Sequence, residues 1–122
     1  MSTAKFDTLS NLAGTQTVPV ATVAQGSAKA WVNFNGTGTV AIRAAFNVSS
    51  ITDNGTGDYT VNFITALPDR NYSLVGTCGT PAVRVAVVSN RTIDPAAGSC
   101  RIGTYDGGVV QDVSEVNVAI FR

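Results

Sequence analysis

The stretch Ala28-Lys-Ala-Trp-Val-Asn-Phe-Asn-Gly-Thr-Gly-Thr-Val-Ala-Ile-Arg-Ala-Ala-Phe46 decides the fold. Successive side chains of a strand point to opposite faces. Ala30, Val32 and Phe34 therefore share one face, and Lys29, Trp31 and Asn33 share the other. Asn35-Gly-Thr-Gly38 follows, and Asn-Gly between alternating apolar runs is the strongest short hairpin signal. On the returning strand, Val40, Ile42, Ala44 and Phe46 are expected on one face, with Arg43 opposite. A second hairpin joins Val48-Ser-Ser-Ile-Thr52 to Tyr59-Thr-Val-Asn-Phe63 through Asp53-Asn-Gly-Thr-Gly-Asp58. In its second strand Tyr59, Val61 and Phe63 alternate with Thr60, Asn62 and Ile64.

The pattern continues to the C-terminus. Tyr72–Thr77, Val83–Val88, Arg101–Tyr105 and Val113–Phe121 read as strands, with Val116, Val118 and Ile120 on one face of the last. Leu67-Pro-Asp-Arg-Asn71, Asp94-Pro-Ala-Ala-Gly98 and Asp106-Gly-Gly108 read as turns. Short strands divided by turns at such spacing indicate an all-β domain, an antiparallel β-sandwich or jelly-roll-like fold over residues 28–122.

Residues 1–27 differ. Asn11-Leu-Ala-Gly-Thr-Gln-Thr-Val-Pro-Val-Ala-Thr-Val-Ala-Gln-Gly-Ser27 is small, polar and interrupted by Pro19, which cannot sit in a central strand. The segment reads as an extended N-terminal arm or edge strand. Phe6, Leu9 and Leu12 have the spacing of one short amphipathic turn. With Val18 and Val20 they are the apolar residues by which an arm would attach to a larger assembly or exchange between subunits.

Composition narrows the function. The chain has 122 residues, enough for one domain with a real core. Eight basic residues balance eight acidic ones, so no basic surface is expected for nucleic acid. Charged residues make up only 13%, and a surface so poor in charge does little to repel a second copy. Histidine is absent, which removes the commonest general base and most zinc sites. No apolar run is long enough to span a membrane, and Met1-Ser-Thr-Ala-Lys-Phe-Asp7 has no apolar core of a secretory signal. Cys78 and Cys100 are too few for a disulfide framework, and the sequence leaves open whether they pair.

Each chemical motif has a plainer explanation. Asp53-Asn-Gly-Thr-Gly-Asp58 resembles a calcium loop but lacks the further oxygen ligands and the terminal Glu, and a hairpin turn explains its residues. Asn35-Gly-Thr-Gly-Thr39 has the look of a phosphate loop, yet no Lys follows and a strand comes next. Asn35, Asn47, Asn54, Asn71 and Asn90 match the glycosylation sequon, as an Asn- and Thr-rich chain does by chance. The pairs Asp53/Asp58 and Asp106/Asp112 are the remaining candidates for carboxylate catalysis, but acids at turns are turn formers first. We therefore expect no enzyme, no metal and no cofactor. Trp31 on an outer face either covers neighbouring structure or anchors a subunit interface, with Arg43 on the next strand placed to stack on it.

The run Lys29-Ala-Trp-Val-Asn-Phe-Asn-Gly-Thr-Gly-Thr-Val-Ala-Ile-Arg43, continuing through Phe46-Asn-Val-Ser-Ser-Ile-Thr-Asp-Asn-Gly-Thr-Gly-Asp-Tyr-Thr-Val-Asn-Phe63, resembles a module of tail-fibre-like virion proteins of tailed bacteriophages. The likeness extends to Asp69-Arg-Asn-Tyr72 and to the closing Val118-Ala-Ile-Phe-Arg122. The resemblance implies a β-rich structural protein on the virion, a homotrimer exposed on the particle. We expect its globular part to face outward and present loops to a host-surface glycan or protein. Family members often carry this module at the tip of a longer fibre, whereas only about 27 residues precede it here. A capsid decoration protein that ties the head together is the alternative expectation. In either case the partners are further copies of the chain and other virion proteins. The resemblance supplies no catalytic residue.

Overall fold

The computed structural model describes residues 2–80, 86–91 and 95–122. Among them the chain forms an antiparallel β-sandwich. One sheet has the order β4-β3-β11-β7, with β3 at Ala28–Asn35, β4 at Ala41–Phe46, β7 at Ser73–Gly79 and β11 at Glu115–Phe121. The other is built on β5 at Val48–Gly55, β6 at Asp58–Phe63 and β9 at Ser99–Asp106. β8 at Ala86–Asn90 and the short β10 at Val109–Val110 both pair with β9. The expected strand at Val83–Val88 and the turn beginning at Asp94 fall partly outside the described residues.

Alternation fills the space between the sheets. Ala30, Val32 and Phe34 of β3 face Tyr59, Val61 and Phe63 of β6, and Val116, Val118 and Ile120 of β11 complete the layer. Phe34 and Tyr59 meet edge to face across the sandwich, with ring centroids 5.2 Å apart. Cys78 and Cys100 are both free thiols; Cys100 is buried in this layer and Cys78 packs against it.

The two expected hairpins form, but the first has a longer loop than Asn-Gly alone would give. Its connection spans residues 36–40, with positive φ at Gly38 and not at Asn35 or Gly36. Asn35 works instead as an Asx turn: its Oδ1 accepts both the backbone N–H and the hydroxyl of Thr37. The face assignment on β4 also changes. Asn33 pairs with Ala44 and Phe34 with Ile42, so Arg43 is an extra residue, a bulge. Beyond the bulge the phase flips, and Phe46 and Ala44 lie on the outer face while Ile42 stays opposite Phe34.

Asn47 turns the chain from one sheet to the other. It has φ of 54°, in the left-handed region that Asn tolerates better than most residues. Its side-chain N–H groups donate to the carbonyls of Lys29 and Thr65, and its Oδ1 accepts from the Thr65 N–H. This sequon asparagine is a corner bracket.

The arm is more structured than an extended tail. β1 at Thr8–Ser10 and β2 at Thr17–Pro19 form a separate two-stranded hairpin, with Leu9 opposite Val18. Asn11 closes its loop by accepting the N–H groups of Thr15 and Gln16. Leu9 thus lies in a strand, not in the helical turn expected for Phe6, Leu9 and Leu12. A seven-residue helix, α1 at Val20–Gly26, follows and buries none of its residues. Lys29 reaches back to the Ala24 carbonyl at the end of this helix.

Candidate functional site

The outer face of the β4-β3-β11-β7 sheet carries an open concavity. Strand register sets Phe46, Trp31, Ala119 and Val75 side by side across the four strands. Ala119 is small and its neighbours Trp31 and Val75 are large, so the row dips in the middle. The result is an open groove of about 450 Å³, lined by Trp31, Val75, Ala119, Asn33, Asn117 and Thr77 among others. Trp31 is 39% exposed and Val75 is 52% exposed, so two large apolar side chains are only partly covered among the described residues.

A polar row borders the groove one step along the strands. Asn33 donates to Asn117 Oδ1 at 2.6 Å, and Asn117 donates to Thr77 Oγ1 at a long 3.4 Å. Beyond it, Glu115 pairs with Arg43 at 3.2 Å, and Arg43 also donates to the Ser114 carbonyl. Arg43 therefore does not stack on Trp31 as expected; its guanidinium is held at the end of β11. Trp31 and Phe46 make the outer row instead. Among the described residues no charged side chain lines the groove.

The N-terminal segment presents a further apolar surface among the described residues. Phe6, Leu9 and Leu12 are exposed, Leu12 fully, and Val18 and Val20 are only half-buried. From Thr8 to Ala28 not one side chain is charged. No arm residue lines the groove of its own chain.

Of the acidic residues flagged as catalytic or metal-binding candidates, Asp53, Asp58 and Asp112 are engaged internally. Asp58 is buried and takes a two-pronged contact from Arg101, Nε to Oδ1 at 2.8 Å and Nη2 to Oδ2 at 2.6 Å. Arg91 lies 3.7 Å from the same carboxylate. The hydrogen bonds from Arg101 hold the Asp58 carboxyl below the usual range, against the opposing effect of burial. Asp53 caps its own turn by accepting the Gly55 N–H. Asp112 accepts the Tyr59 hydroxyl and the Gly57 N–H, each at 2.7 Å. Burial and the neighbouring Asp112 raise the Tyr59 phenol above its ordinary pKa. Among the described residues no group of three or more Cys, Asp or Glu side chains is placed to hold a metal ion.

The sequence placed Trp31 on the outer face but did not reveal its partners. Val75 and Ala119 are 44 and 88 positions away from it (75 − 31 and 119 − 31), and only the register of β11 between β3 and β7 brings them together. No family model matches this chain, and no curated protein or solved structure matches it.

Proposed function

We propose that the chain is a structural component of a bacteriophage virion, a tail-fibre or spike-like β module held in place by its N-terminal arm. The observation that carries this reading is the arm itself. Residues 2–27 form a hairpin and a short helix with no buried residue, uncharged from Thr8 onward and with Phe6, Leu9 and Leu12 exposed. A free monomer gains nothing from such a segment, whereas an assembly gains a docking element. The sequence resemblance supplies the kind of assembly. The sandwich presents its loops outward, and many copies multiply weak contacts with a host-surface glycan or protein. Internal engagement of Asp58 and Asp112 favours this binding and structural role over catalysis.

Deleting residues 1–24 tests the reading. The shortened chain is expected to keep its β-sheet circular dichroism and its cooperative melt, and to be missing from purified particles. Incorporation of the shortened chain at the normal level would refute arm attachment. A second reading, capsid decoration, is favoured by the apolar side chains Ile64 and Val109, exposed away from the groove and suited to lateral neighbours. Imaging the particle separates the two: hundreds of copies on the head mean decoration, and tens or fewer on the tail mean a fibre or spike.

A further inference from the structure

Among the described residues two apolar surfaces have unlike shapes, one concave and one protruding. The concave one is the groove between Trp31 and Val75, floored by Ala119. The protruding one is the β1–β2 hairpin, where Leu9 and Val18 sit directly opposite each other. Every copy of the chain carries one of each, so the two are matched in number at any assembly size.

Their electrostatics match as well. Among the described residues the groove has no charged lining residue, and the arm has no charge from Thr8 to Ala28. Bringing them together strips water from no ion, which is the cost that most often defeats apolar docking. A protein partner with an ordinary surface, about one-quarter charged, would meet the groove on worse terms.

The arm also leaves the domain close to the groove. Lys29 lies two residues before Trp31 on β3, at a bulge where Ala28 pairs with Phe121 and Ala30 with Ile120, and it holds the Ala24 carbonyl at the end of α1. The root of the arm thus lies on the strand that carries Trp31, at its N-terminal end. The seven residues of α1 carry the hairpin a further ~10 Å. In the single chain the arm does not occupy the groove.

We propose that the groove is filled by the N-terminal hairpin of a second copy of this chain, with Leu9 and Val18 entering between Trp31 and Val75. This contact is head-to-tail, arm to groove, and links copies into a closed ring or an open filament according to the rotation from one copy to the next. It rests on the reading of the arm as an assembly segment and names the surface that receives it.

Sedimentation of the full chain and two variants tests it. Leu9→Asp spoils the arm and Val75→Asp spoils the groove; both positions are exposed, and circular dichroism checks that each variant folds. The wild-type chain is expected to assemble at about 100 μM, where micromolar contacts are saturated. Each variant alone is expected to associate about a hundredfold more weakly, as loss of a central apolar contact does. Mixed one to one, they are expected to form a complex of two chains, because the Val75→Asp chain still has an intact arm and the Leu9→Asp chain an intact groove. If the wild-type chain is monomeric, the inference fails and the groove serves another partner. If Val75→Asp assembles normally while Leu9→Asp does not, the arm assembles elsewhere and only this inference fails. If Leu9→Asp assembles like wild type, the hairpin makes no contact between copies and this inference fails, while attachment of the arm to the particle stands or falls on the deletion.

Discussion

One oxygen of Asp112 binds Tyr59 at the base of the sandwich: Oδ1 accepts the phenol hydroxyl at 2.7 Å and the Gly57 N–H at the same distance. The contact ties the strand β6 to the segment leading into β11. Tyr59→Phe keeps the ring packed on Phe34 but leaves the carboxylate short of one donor. A hydrogen bond to a charged acceptor contributes about 1.5–3 kcal/mol. The variant is expected to lose stability of that order in urea unfolding, with an unchanged slope.

Gly36 is needed because Tyr59 and Val113 come so close. A Cβ built there would lie 2.6 Å from the Tyr59 hydroxyl and 2.9 Å from the Val113 carbonyl oxygen. Gly57 combines φ of +59° with backbone atoms of Thr104 and Gln111 at 2.7 Å from the same built atom. Gly36→Ala and Gly57→Ala are each expected to cost about 2 kcal/mol or more, through overpacking and, at Gly57, backbone strain. Gly38→Ala, at a positive φ in open space, is expected to cost less. Thermal melts of the three variants give the order.

Acid is expected to unfold the protein through its paired carboxylates. Arg101 holds Asp58 below its ordinary pKa, and hydrogen bonds from Arg122 and the Asn71 N–H bring Asp69 down to about 2. A carboxyl with a lowered folded pKa stabilises the fold above its unfolded pKa and loses that effect as the pH falls toward the folded one. The melting temperature is therefore expected to be flat from neutrality to about pH 5. It should then drop through the ordinary carboxyl value of 3.8 toward 2. Asp58→Asn, which cannot titrate, is expected to melt lower at neutral pH and to show a shallower acid decline.

The two cysteines are expected to behave unequally toward a thiol reagent. Burial pushes the Cys100 thiol up to about 12, so almost no thiolate exists at neutral pH. Cys78 is partly exposed, and burial raises it as well. In the native protein Cys78 is expected to react slowly and Cys100 not at all, with both titrating fully in denaturant. A chain with no reactive thiol in denaturant would show that the two have paired.

Burial by alternation was legible in the sequence at Ala30/Val32/Phe34, Tyr59/Val61/Phe63 and Val116/Val118/Ile120, because a strand with one buried face writes its register into every second residue. What was not legible has physical causes. The Arg43 bulge carries no residue signature, yet it moves Phe46 to the opposite face. Helix α1 packs no side chain into a core, so it has no reason to show a 3.6-residue stripe. Asp58 reads as a turn residue until β9 brings Arg101 to it from 43 positions away. The groove depends on Ala119, whose contribution is its small size between two large neighbours.

The neutrality of the arm has one further consequence. Dissolved salt weakens contacts between proteins by screening their charges, and from Thr8 to Ala28 there is none to screen. Whatever surface receives this segment should hold it as firmly in concentrated brine as in fresh water, and sulfate or phosphate should tighten the grip.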